Sequence, residues 1–133
     1  MAADLKSKVA AVTLMFWAIK ILATTLGETA GDTVSMTMDL GYLAGTAIFG
    51  TAFLIFVALQ IRARGYHASL YWLTIVASTT MGTTLADFCT RSLGIGYPGG
   101  SLLLLAAVIL SLWAWQRSTG TISVETVTTP KAE

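Results

Sequence analysis

One internal offset constrains this chain more than any other feature. Residues 16–32, FWAIKILATTLGETAGD, align without a gap on residues 71–87, YWLTIVASTTMGTTLAD, at a spacing of 55. Trp17 falls on Trp72, Thr24 and Thr25 on Thr79 and Thr80, Gly27 on Gly82, Thr29 on Thr84, and Asp32 on Asp87. The register continues downstream, with Gly41-Tyr42 on Gly96-Tyr97, Gly45 on Gly100 and Thr46 on Ser101. A fixed period of this size means one supersecondary unit written twice, and the fold must be one that two such units build together.

Each unit holds two apolar stretches, so four are visible, at about 9–31, 41–61, 69–90 and 97–116. Only 11% of the residues are charged and the mean hydropathy is +0.73, where a soluble domain carries roughly 25% charged residues. Each stretch approaches the ~20 residues that cross ~30 Å of hydrocarbon. In lipid every backbone amide must be satisfied within its own segment, which selects helices. The expected fold is therefore an all-α membrane protein of four transmembrane helices, arranged as two helical hairpins. A hairpin crosses an even number of times, so the copies point the same way, related by an axis along the membrane normal. Lys6 and Lys8 before the first run superficially suggest a signal peptide. The run from Val9 to Ala30 is long enough to be kept as a first helix instead.

Residues 1–117 then form one transmembrane domain, with repeats at about 14–61 and 69–116, and residues 118–133 a disordered cytoplasmic extension. Lys6, Lys8, Arg62, Arg64, His67, Arg117 and Lys131 fall on one side of this arrangement. The positive-inside rule puts that side, with both termini, in the cytoplasm. Tyr71, Trp72, Trp113 and Trp115 would form an aromatic belt there.

Polar residues recur at helical spacing. Lys20, Thr24, Glu28 and Asp32 are four apart on the first segment, and Thr79, Thr83, Asp87 and Arg91 on the third. Thr25, Thr29, Thr80 and Thr84 make a neighbouring stripe. A charge at the bilayer centre costs about 2.5–3.5 kcal/mol on insertion scales, so such residues face a bundle interior and are functional candidates. Lys20 lies near mid-helix, Glu28 two turns further out, and Asp32 and Asp87 close to the outer boundary, where a hydrated interfacial acid is the competing interpretation. Lys20 falls on Ile75 and Glu28 on Thr83, so the two copies are not chemically equivalent. Lys20 is either an internal cation at the site or an ion-pairing, snorkelling lysine. The pairs Gly27/Gly31, Gly41/Gly45, Gly82/Ala86 and Gly96/Gly100 place small residues four apart on every segment. Tight helix packing is the main role they suggest. The Thr-Thr-x-Gly segments read as continuous Thr-rich helix more readily than as breaks. Asp39 reads as the N-cap of the second helix, Tyr42 and Tyr97 as interfacial anchors, and Cys89 as a small packing residue.

Several chemistries are excluded. There is no basic tract for nucleic acid, and the single Cys89 rules out an internal disulfide. No Cys/His cluster provides a zinc or copper site. No phosphate loop is present. His67 is the only histidine, so no Ser/His/Asp set exists and an enzyme is not expected.

The segments FWAIKILATTLGETAGD and MGTTLADF and the repeated Gly-Tyr resemble a bacterial membrane-anchored family built on a repeat of unknown function, over about residues 14–117. Longer members carry more hairpins, so the resemblance implies a half-size member that completes its bundle as a homodimer in the inner membrane. It implies no activity.

The residues themselves point to a transporter or exporter of a cation, either a hard divalent metal such as manganese or a proton-coupled cargo. Glu28, Asp32 and Asp87 would bind the metal or exchange protons, with Thr24, Thr25, Thr79, Thr80 and Lys20 around them. Oxygen donors suit hard cations. No cofactor is expected; the divalent ion is cargo, and the partners are the bilayer and a second copy. Export of small organic cations, and a non-transporting assembly role in which the polar stripe merely joins helices, are the alternatives.

Overall fold

The computed structural model describes residues 8–123. Among the described residues the chain is all helical, with α1 (Leu14–Asp32), α2 (Tyr42–Arg62), α3 (Ala68–Asp87) and α4 (Gly96–Thr119). A π turn continues α1 (Thr33–Thr37) and another continues α3 (Phe88–Ser92). These turns lie at the repeat offset of 55, so both copies bend at the same point, just after the paired acids Asp32 and Asp87.

Local chemistry sets these boundaries. Thr13 caps α1, its Oγ1 accepting from the Phe16 amide at 3.2 Å, in the ordinary N-cap manner. At the other end Ser35 Oγ donates to Gly31 O at 2.7 Å, and its counterpart Thr90 Oγ1 donates to Ala86 O at 2.9 Å. A hydroxyl that occupies the carbonyl four residues back competes with the helical ladder. Beyond it the amides reach one residue further, Met38 N to Thr33 O at 2.9 Å and Leu93 N to Phe88 O at 3.1 Å. The Thr-Thr-x-Gly segments lie within unbroken α1 and α3, so the helical irregularity falls one to two turns later.

The chain then turns back. Gly41, at φ 79°, is the N-cap of α2, and Asp39 sits before it at φ 55°. This corrects the expectation that Asp39 is the cap: the left-handed backbone needed to reverse direction puts the cap at the glycine. The C-terminal extension is also corrected, because Ser118 and Thr119 belong to α4, which ends on Gly120 at φ 77°. Lys6 and residues 124–133, with Lys131, lie outside the described residues.

α3 is the centre of the packing. It lies against both α1 and α2, whereas α4 meets the rest chiefly where its first turns touch the second π turn. Glycines make the α3 contacts possible. A Cβ on Gly27 would stand 2.9 Å from Thr79 Cβ and 3.2 Å from Thr80 N. On Gly31 it would stand 3.3 Å from Thr84 Cγ2, and on Gly45 3.2 Å from the same methyl. Not every small pair has this role: Gly82 has nothing within 4 Å, and Gly41 serves the turn.

Outside this seam the surface is apolar. α2 and α4 are long and apolar enough to cross a membrane, and only 6% of each apolar window is buried inside the protein. α1 and α3 fall short of that test, because Lys20, Glu28 and the threonines dilute their hydropathy. The ends carrying Lys8, Arg62 and His67 share one side. There Lys8 Nζ donates to Ile61 O at 3.1 Å, closing the C-terminus of α2, where a cation suits the helix dipole. Phe16, Trp72, Tyr71 and Tyr66 form a chain of ring contacts at the same end, with centroids 5.3–5.8 Å apart.

Gly27→Ala should cost about 1–2 kcal/mol, the overpacking penalty outweighing the gain in helix propensity. Gly50→Ala should be neutral or stabilising, because its Cβ would meet only the flexible Met81 Sδ, at 3.4 Å. Melting of the detergent-solubilised variants checks both.

Candidate functional site

The polar residues sort into three environments. Thr80 and Thr84 are sealed, at 1% and 0% exposure, in the seam where α3 meets α1 and α2. Thr80 Oγ1 donates to Val76 O at 2.8 Å, and Thr84 Oγ1 lies 3.0 Å from Met81 O. Thr46 Oγ1 on α2 reaches Thr84 Oγ1 at 3.0 Å. Their methyls fill the space that the glycines leave. These two threonines pack the seam with their own polarity satisfied.

The second environment is the outer end of α3. Asp87 Oδ1 is 3.1 Å from Arg91 Nε, one turn on. Arg91 also donates from Nη1 to the Tyr42 hydroxyl at 3.1 Å, and its guanidinium lies 5.8 Å from the Tyr42 ring centroid. Asp87 first, then the hydrogen bond to Tyr42, push the Arg91 pKa up, so this cation is permanent. The trio ties the second π turn to the start of α2. Its signal was in the sequence, as an acid and a base four residues apart. The repeat counterpart of Arg91 is Met36, so Asp32 has no such base beside it.

The third environment is the stripe itself. Lys20 is half-buried, and Glu28 and Asp32 are exposed. None of the three has a side-chain hydrogen bond or ion pair among the described residues. Thr24 and Thr79 are half-buried counterparts with the same bond, Thr24 Oγ1 to Lys20 O at 2.8 Å and Thr79 Oγ1 to Ile75 O at 2.9 Å. Thr83 Oγ1 donates to Thr79 O at 3.1 Å. With their protons committed to their own helix, these oxygens present only lone pairs outward. Thr25 is exposed on the neighbouring face.

The expected metal set of Glu28, Asp32 and Asp87 is not gathered in one chain. No group of three or more His, Cys, Asp or Glu among the described residues is placed to hold a metal. Asp87 is drawn to Arg91, while Glu28 and Asp32 are exposed. Sequence spacing gave the height of each acid along its helix but not the azimuth of α1 against α3, which the glycine contacts set.

The fold and the stripe define an all-helical two-repeat protein with two strongly apolar, unburied helices and ionisable groups on a third. Residues 15–66 and 70–121 each match the family described as Repeat of Unknown Function (DUF347), and the chain belongs to that family. The two matches are themselves 55 residues apart. No curated protein and no solved structure matches the chain.

Thr84→Val should cost less than about 1 kcal/mol, since the methyl contacts stay, the lost donated hydrogen bond goes to a carbonyl already in the ladder, and Thr46 keeps its bond to Tyr42 O at 2.8 Å. Thr84→Ala, which empties the space beside Gly31 and Gly45, should cost about 1–3 kcal/mol. Unfolding of the two variants side by side measures the difference.

Proposed function

We propose that all four helices cross a bacterial inner membrane as two parallel hairpins, with the basic, aromatic end in the cytoplasm, and that the protein moves a small cation past the α1 stripe. Two observations support the topology. α2 and α4 leave 94% of their apolar windows unburied, which suits lipid and does not suit a water-soluble core. α1 and α3 are of similar length, 19 and 20 residues, about 28–30 Å of helix, and α3 is seamed to α2, so the pair must share its depth.

The observation that carries the function is Glu28. It is a carboxylate on a helix of this bundle, with no side-chain partner among the described residues, and a group so placed costs free energy that a packing role does not return. Thr24, Thr79 and Thr83 add hydroxyl oxygens whose lone pairs are free. Carboxylate and hydroxyl oxygens favour a hard cation such as manganese, or a proton carried on Glu28 itself. Lys20, about two turns deeper, would hold the site's charge balance while the cargo is away. Asp87 is reassigned to bracing the outer end through Arg91 and Tyr42.

The sealed Thr80 and Thr84 favour a second reading, an assembly subunit whose polarity serves helix packing alone. The two readings separate in reconstituted vesicles loaded with a manganese- or proton-sensitive dye. Transport predicts a flux that Glu28→Gln lowers at least about tenfold, equivalent to ~1.4 kcal/mol in the barrier, and that Asp87→Asn largely keeps. Equal flux in wild type and Glu28→Gln removes the transport reading.

A further inference from the structure

The contact between the two repeats is half of a pattern whose other half is open. In the chain, Gly27 and Gly31 of α1 with Gly45 and Thr46 of α2 receive Thr79, Thr80 and Thr84 of α3. Adding 55 to the receiving residues gives Gly82 and Ala86 of α3 with Gly100 and Ser101 of α4. Subtracting 55 from the inserted residues gives Thr24, Thr25 and Thr29 of α1. Residue types are kept at almost every one of these positions, yet in one chain the two surfaces do not meet. Gly82 and Ser101 are exposed, nothing lies within 4 Å of a Cβ on Gly82, and Thr25 and Thr29 are exposed. α4, whose counterpart α2 is packed along α3, touches the rest chiefly at its first turns.

We infer that two copies join through this unfilled repeat contact, with Gly82, Ala86 and Ser101 of each copy receiving Thr25 and Thr29 of the other. Each copy offers one receiving face and one inserted face. Two copies are the fewest that can satisfy both, and the resulting contact is closed and two-fold. α4 then takes, against α1 of the second copy, the place that α2 takes against α3. The first helices of the four repeats form an inner ring. On α3, in steps of 100° per residue, Thr79 and Thr83 lie between the face used for α1 and the face offered to the second copy, on the side away from α2. Their counterparts on α1 are Thr24 and Glu28. The ring therefore encloses two Glu28 carboxylates and the threonine oxygens, a set that one chain does not assemble. The contact scheme rests on the repeat alone; only the use of the enclosed carboxylates rests on the cation reading above.

Cysteine cross-linking in native membranes tests it, in a Cys89→Ala background. Thr46 and Thr84 Oγ1 atoms are 3.0 Å apart, so their counterparts, Ser101 and Thr29 of different copies, should be within disulfide reach. A chain carrying Ser101→Cys and Thr29→Cys is expected to give a product of twice the chain mass on mild oxidation. Ser101→Cys paired with Leu54→Cys, an exposed residue of α2, should give none. Gly82→Leu, which meets nothing in its own chain, should abolish the product and leave helical content unchanged. Absence of the product, a threefold or ladder product, or a product that survives Gly82→Leu overturns the inference. A cross-linked dimer without flux would count against the cation reading only, and flux from a protein that never cross-links would count against the dimer only.

Discussion

The structure depends on how closely α3 approaches its two neighbours. Backbone proximity and dispersion hold such a seam, the forces that join helices in lipid as well. Gly27, Gly31 and Gly45 supply the grooves, and the methyls of Thr79, Thr80 and Thr84 fill them. Threonine suits this position because its hydroxyl turns back to its own helix, as Thr80 does to Val76 O, and leaves a smooth apolar edge. Serine would lose the methyl and valine the option of an interhelical hydrogen bond such as Thr46 to Thr84.

Once that approach is fixed, the rest follows in turn. The α1 face used for packing is Ala23, Gly27 and Gly31. Lys20, three residues before Ala23 and seven before Gly27, continues that face towards the other end of the helix, whereas Thr24 and Glu28 fall on an adjoining side. The π turns then redirect the chain at matching heights, and in the second copy Arg91 clamps the turn to Tyr42 while holding Asp87. In the first copy Met36 stands where that arginine would be. The two acids that the repeat pairs by position are thus separated by environment: Asp87 is braced, and Asp32 has no ion pair among the described residues.

Much of this was legible before any coordinates. The repeat, the four helices and the continuous Thr-Thr-x-Gly segments follow from spacing and from backbone chemistry. Two local features escaped. The π turns depend on Ser35 and Thr90 capturing particular carbonyls, and a serine or threonine near a helix end does this only in some contexts. Asp39 matched a capping pattern, but Gly41 offered a conformation that reverses the chain at lower cost. The three acids stand apart in one chain for a different reason. Periodicity orders residues around one helix, while the rotation of α1 against α3 is decided by which side carries the smallest residues, and that side was Gly27 and Gly31 rather than the acids.

In the proposed transport reading the α1 stripe lines a water-reachable hollow at mid-membrane depth, not a lipid surface. A cysteine at Thr24, compared with one at Leu54 on the exposed face of α2, measures this directly through its reaction with a small, membrane-impermeant cationic thiol reagent in intact vesicles, with Cys89 replaced by Ala. Rapid labelling at position 24 and none at position 54 is the predicted result. Equal inertness at the two positions would mean that the stripe faces hydrocarbon or packed protein, and would contradict the claim.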